Sequence, residues 1–144
     1  MRWDESMMGD QSGKVAVVTG SNTGIGYYMA RALASKGASV IMACRDPSKR
    51  EGARDSILEE FPGSEVSVSV LDLADLSSIE EFADGFPSEG GIGILINNAG
   101  VMIPPKSRTK DGFELQFGTN HLGHFALTGR LLPILERTEG SRVV

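Results

Sequence analysis

Apolar runs of strand length alternate along this chain with longer stretches whose apolar residues recur at helical spacing. That alternation predicts an α/β protein built on a parallel sheet. Lys14 to Thr19 (KVAVVT) is short, β-branched and almost wholly apolar, as expected of a central strand covered on both faces. Gly24 to Lys36 predicts a helix with Ile25, Met29, Ala32 and Leu33 on one face, and Gly37 stands where a left-handed C-terminal residue is favoured. Ser39 to Cys44 predicts a second strand. Pro47 suits the first turn of the next helix, where its missing N–H has no intrahelical partner, and Ile57, Leu58 and Phe61 complete its apolar face before Pro62-Gly63.

Val66 to Leu71 predicts a third strand, and Asp75 to Phe86 a helix with Leu76, Ile79, Phe82 and Ala83 at helical spacing. Pro87 and a flexible Ser88 to Gly91 lead into strand four, Ile92 to Asn97. After the loop marked by Pro104 and Pro105, Asp111 to Leu135 has helical apolar spacing with a break near Gly118 to Asn120, and Arg142 to Val144 begins a fifth strand. Right-handed crossovers give a doubly wound parallel sheet of order 3-2-1-4-5, whose reversal between strands one and four is where a dinucleotide would sit.

Composition narrows the partners. A chain of 144 residues is normally one domain with one sizeable core. The net charge of -5, with no Lys or Arg run longer than two, gives no cationic field, so nucleic acid is not an expected partner. Cys44 is the single cysteine, which rules out an internal disulfide and a thiolate metal cluster and fits a reducing, cytoplasmic setting. Met1 to Ser12 lacks the apolar region of a signal peptide and the length of a membrane span, and reads as a mobile acidic lead. His121 and His124 stand three apart with no third ligand nearby, which favours helix packing or capping over a metal.

The chemistry is carried by Thr19-Gly20-Ser21-Asn22-Thr23-Gly24-Ile25-Gly26, lying between a predicted strand and a predicted helix. Unpaired N–H groups at a helix N-terminus suit a pyrophosphate, and glycines remove side chains where phosphates and the neighbouring strand approach. Ser21, Asn22 and Thr23 add hydroxyl and amide donors. Asp72-Leu73 follows strand three, Asn97-Asn98-Ala99-Gly100 follows strand four, and Asn120 lies in the long helix. A buried amide pair such as Asn97-Asn98 also bridges strands structurally.

In that order and spacing these motifs resemble the short-chain dehydrogenase/reductase family, from about Gly13 to Val144. Gly13-Lys14-Val15, Ala43-Cys44-Arg45-Asp46 and Asn120-His121-Leu122-Gly123-His124-Phe125 look most like its retinol dehydrogenase branch. The resemblance implies a Rossmann-type fold, an oxidoreductase passing a hydride between a nicotinamide cofactor and an alcohol or carbonyl, and a flexible lead over 1–12 followed by a cofactor domain over 13–144. It also implies that Asp72 accepts from the adenine amino group, that Leu73 lines the ring, and that the backbone from Asn97 through Asn98, Ala99 and Gly100 passes along the ribose. The residue ending the second strand, about 20 positions after the glycines, faces the adenosine ribose in such folds. Here it is Arg45, whose guanidinium pairs with a 2'-phosphate, so NADP is expected over NAD. Asp46 follows directly, and a shift of one residue would reverse that reading.

The family protonates the substrate oxygen with a tyrosine, tuned by a lysine four residues later, while a serine orients the oxygen and an asparagine helps hold a relay water. Of these four only the asparagine is matched, by Asn120; Tyr27 and Tyr28 are followed four residues on by Arg31 and Ala32. The resemblance therefore implies an N-terminal part of a longer reductase, incomplete after the fifth strand. Such a part would expose Arg142 to Val144 as a sheet edge and leave Leu122, Phe125, Ala126, Leu131, Leu132 and Leu135 as an apolar stripe, which the complete family commonly buries in a homodimer. A second reading is a non-catalytic dinucleotide-binding or interaction protein. A third, an unrelated α/β domain, predicts no nucleotide affinity.

Overall fold

A computed structural model describes residues 4–87 and 89–144. Its five strands, β1 (Val15–Thr19), β2 (Ser39–Cys44), β3 (Val66–Val70), β4 (Ile94–Ile96) and β5 (Arg142–Val143), form one sheet. The order is β3-β2-β1-β4-β5, and every pairing is parallel. Helices α1 (Gly24–Ser35), α2 (Pro47–Glu60) and α3 (Leu76–Asp84) follow their strands. After β4 come a short α4 (Leu115–Phe117), a π-helical turn (Gly118–Gly123) and α5 (His124–Arg137).

Alternation along the strands sorts their side chains into two cores. Ala16 and Val18 of β1, with Val40 and Met42 of β2, pack beneath Ala30, Leu33 and Ile57 of α1 and α2. Val17 points the other way, joining Leu95, Ile79 and Phe82 under Leu127, Leu131 and Leu135 of α5. Both faces of the central strands are thus covered, the reason those strands read as continuous apolar runs. Full burial of a leucine such as Leu127 or Leu131 contributes about 1.5–3 kcal/mol.

Several expectations are corrected. Ile25 is not on the buried face of α1: it is 71% exposed, while Gly26, Ala30 and Leu33 turn inward. Residues 4–12 are not a free lead. Glu5 pairs with Arg31 at 3.1 Å, the Gln11 amide donates to the Lys36 carbonyl at 2.8 Å, and Met8 packs on the α1–α2 core. The remainder of that expectation, Met1 to Trp3, lies outside the described residues, as does Ser88 of the expected Ser88–Gly91 linker.

The long helix does not begin at Asp111. Residues 108–114 close a small antiparallel bridge between Arg108 and Glu114, and Gly112 adopts φ 91°, which no helix allows. The expected break near Gly118 is a π-helical turn that passes directly into α5. Leu131 and Leu135 are not part of an exposed stripe either. With Leu127 and Ile134 they form the 3.6-period face buried in the sheet core, and Phe125 and Leu132 are what point outward. β5 does lie at an edge, with Val143 and Val144 exposed, and the Val144 amide continues the ladder to the Leu95 carbonyl at 2.9 Å.

Candidate functional site

The carboxyl ends of β1, β2, β3 and β4 open into a cleft of about 280 Å³ at the point where strand order reverses. Gly20, Asn22 and Thr23 form one wall, Arg45, Asp46 and Lys49 the next, Asp72 and Leu73 the floor where β3 exits, and Ala99, Gly100, Val101 and Thr119 the far side. Eight of the thirteen residues expected around a nucleotide therefore share one cleft. Ser21, Gly24, Ile25, Gly26 and Asn98 do not line it.

The turn's geometry explains why its glycines are glycines. Gly20 has φ 63°, and a Cβ there would stand 2.8 Å from the Ala99 Cβ. Gly24 has φ 58° with open space around it, so only its backbone conformation demands glycine. Gly26 has no unusual φ, but a Cβ would collide with the Asn98 amide and stand 2.6 Å from the Gly20 carbonyl oxygen. Two of the three glycines thus serve the approach of β1 to the loop after β4.

The expectation that Ser21 offers its hydroxyl to a ligand is corrected. Ser21 is fully buried and donates to the Val18 carbonyl at 2.9 Å, closing the turn from within. Asn98 is likewise internal: its Nδ2 donates to the Thr19 carbonyl at 2.9 Å. Asn97 Nδ2 donates to the Thr128 hydroxyl at 3.0 Å, tying β4 to α5.

Helix ends differ in a telling way. Asp46 caps α2, Asp75 caps α3 and Glu114 caps α4, each carboxylate accepting from first-turn amides. The Thr23 side chain makes no such bond at α1. The N-terminus of α1 therefore keeps its partial positive charge uncompensated by a side chain, beside the cleft. Capping engages the Asp46 carboxylate at the start of α2. Asp46 Oδ1 accepts from the Ser48 amide at 3.0 Å and its hydroxyl at 2.8 Å, and these bonds hold the carboxyl below its ordinary range. The Arg45 side chain makes no hydrogen bond or ion pair among the described residues.

Asn120, in the π-helical turn, does not line the cleft but bonds to Val101, which does. Its Oδ1 accepts from the Val101 amide and its Nδ2 donates to the Val101 carbonyl, both at 2.8 Å, so the side chain clamps the loop after Gly100. The two histidines part company: exposed His121 stacks between Phe117 and Phe125, whereas His124 is buried against Thr19. Burial lowers the His124 pKa, opposed by its bond to the Asn120 carbonyl.

Sequence reasoning missed Lys49 and Thr119. Lys49 follows Arg45 by one helical turn, a spacing visible in the chain once α2 is placed. Thr119 gave no signal; its buried Oγ1 has no partner among the described residues. No described helix is long and apolar enough to cross a membrane.

The family described as short chain dehydrogenase matches residues 14–144. The chain belongs to the short-chain dehydrogenase family. It is 54% identical over 133 residues to human retinol dehydrogenase 12, a match covering 92% of this chain and 42% of that protein. A solved protein from Mycobacterium Paratuberculosis superposes with TM-score 0.84 at 48% identity, covering 93% of this chain and 47% of the other. A metagenomic short-chain oxidoreductase in complex with NADP matches with TM-score 0.80 at 29% identity, over 92% of this chain and 61% of its own. The chain thus spans less than half the length of the retinol dehydrogenase it resembles, and it carries the sheet order and glycine turn of an oxidoreductase family.

Proposed function

We propose that residues 13–144 form the cofactor domain of an NADP(H)-dependent oxidoreductase acting on an apolar alcohol or carbonyl compound. The observation that carries this reading is the α1 N-terminus, which, unlike α2, α3 and α4, is left without a side-chain cap where the glycine turn meets the cleft. A diphosphate supplies the missing acceptors. Arg45 and Lys49 then face the adenosine 2'-phosphate, Asp72 and Leu73 take the adenine, and Ala99 and Gly100 admit the ribose. The names of two matched proteins, a retinol dehydrogenase and an NADP complex, support the substrate class and the cofactor.

Bound NADP supplies the hydride acceptor. This chain's part is to bind and orient it, with Asn120 positioning the loop from Gly100 to Val101 rather than acting through its side-chain amide, both atoms of which are engaged. Exposed Phe125 and Leu132 on α5 support packing against a second copy.

Calorimetry of the full chain with NADP and NAD tests the reading. NADP is expected to bind more tightly, and Arg45→Ala to cut NADP affinity by about 10- to 100-fold, the worth of a charge-assisted pair, while NAD affinity stays nearly constant. Equal affinity for the two nucleotides, or an Arg45→Ala loss shared by both, would overturn it.

A further inference from the structure

Behind the cleft lies a buried polar junction that joins three of the sequence motifs. His124 opens α5 and is 8% exposed. Its Nδ1 lies 2.9 Å from the Asn120 carbonyl, which can only accept, so the ring proton belongs on Nδ1. Nε2 is then a lone pair, and the Thr19 hydroxyl, 3.0 Å away, must donate to it. Thr19 Oγ1 keeps two lone pairs, and two backbone donors meet them: the amides of Asn98 at 2.9 Å and Ala99 at 3.0 Å. One proton and two lone pairs are matched by one acceptor and two donors. The competing acceptor, the Ile96 carbonyl, is farther away at 3.3 Å.

These two amides belong to the residues on which the glycine turn rests. Asn98 also donates to the Thr19 carbonyl, and Ala99 is the neighbour that leaves no room for a Cβ on Gly20. We propose that His124, in its neutral form, is a positioning residue of the nucleotide cleft, orienting the Thr19 hydroxyl so that it holds the Asn98 and Ala99 amides against the glycine turn. The proposal takes its ligand from the dinucleotide reading and its geometry from the junction alone.

A proton on Nε2 breaks the match. Thr19 Oγ1 would then face three donors with two lone pairs, its own proton would turn to Ile96, and one of the two amides would have to let go. Thr19 from β1 and the Asn120 carbonyl are the polar groups bonded to the ring; both are neutral, and no carboxylate or cation contributes to its titration. Burial already disfavours the imidazolium. By linkage, a ligand that needs the neutral form loses affinity as pH falls through the His124 pKa, by up to about tenfold per pH unit.

The test follows the His124 Cε1 proton resonance and the Asn98 and Ala99 amides against pH in the full chain, with NADP affinity measured over the same range. In wild type the two amide shifts should move with the ring. His124→Gln keeps an acceptor toward Thr19 and cannot be protonated, so the ratio of its NADP affinity to that of wild type should grow as the wild-type ring titrates; taking the ratio cancels titration of the nucleotide's own phosphate. Thr19→Val removes the hydroxyl that links Nε2 to the two amides, so the Asn98 and Ala99 shifts should no longer follow the ring, and Thr19→Ser should restore the coupling. Amides that ignore the ring in wild type, a flat affinity ratio across the ring's titration, or amides that still follow the ring in Thr19→Val would each overturn the proposal. Should wild type bind no NADP at any pH, the dinucleotide reading fails, and the ring and amide titrations still decide the role of His124.

Discussion

Two glycine-bounded segments meet the same cleft, Gly20–Gly26 at the start of α1 and Gly118–Gly123 ahead of α5, and they need glycine for different reasons. In the first, Gly20 and Gly24 have φ 63° and 58°, a requirement of the local backbone. In the second, the backbone is helical throughout and neither glycine has positive φ. There the demand comes from across the fold: a Cβ on Gly118 would collide with the Thr109 methyl, and one on Gly123 with the Leu73 carbonyl. The first segment needs glycine for its own bend and, at Gly20 and Gly26, for the approach of Ala99 and Asn98; the second needs it only for what it touches. A motif can record the φ requirement, since it sits within eight residues; the contacts of the second segment join Gly118 to Thr109, 9 positions away, and Gly123 to Leu73, 50 positions away.

Substitution separates the two kinds of constraint. The largest effect is expected from Gly20→Ala, which meets both: a left-handed φ and the Ala99 Cβ at 2.8 Å. Urea denaturation should show a loss of roughly 2–4 kcal/mol, from backbone strain plus overpacking. Wild-type stability in that variant would mean β1 and the loop after β4 are not held as described.

Gly123→Ala sharpens the contrast, because the two explanations predict opposite signs. Helix propensity alone would make alanine stabilising by about 1 kcal/mol, whereas the Leu73 carbonyl predicts a loss of roughly 1–3 kcal/mol. Gly129→Ala is the internal control, lying in α5 with nothing within 4 Å of where its Cβ would stand, and should gain up to about 1 kcal/mol.

The smallest effect concerns the segment that carries Leu73 into α3. Asp75 caps that helix and pairs with Lys110 at 2.6 Å, and the Lys110 hydrogen bond, followed by that of Ser77, lowers its pKa to about 2. A depressed carboxyl stabilises the fold above its ordinary value of 3.8, and that contribution is lost as pH falls toward about 2. Asp75→Asn should lower the melting temperature near neutrality, leave it little changed at the acid end where wild type has already lost the contribution, and so flatten this part of the acid dependence. An unaltered acid limb would show that the pair contributes nothing measurable, as exposed pairs often do.

The legible part of the molecule was the part with short-range causes. Strand and helix identities, the 3-2-1-4-5 order and the places of Gly20 and Arg45 follow from periodicity, crossover hand and spacing, whereas Asp72 and Ala99 were placed by the family resemblance. Boundaries and faces were less readable. Ile25 has the spacing of a core residue, yet the inward place on that turn is taken by Gly26, since only a residue without a Cβ fits beneath Asn98. Ser21 carries a hydroxyl suited to a phosphate, but the chain needs it for the Val18 carbonyl. Leu131 and Leu135 look like an unpartnered stripe until α3 is placed against them.

The order of residues was enough to specify the alternation of elements, the glycine turn and the cation at the end of β2, because each depends on neighbours within a few residues or on a fixed crossover hand. Which polar groups face the cleft and which are used inside was settled only when the elements packed: Ser21 and Asn98 inward, Thr119 to the cleft wall, His124 against Thr19. A buried polar group must find its partner wherever the fold brings one, and across 105 positions, as between Thr19 and His124, no local pattern records the match.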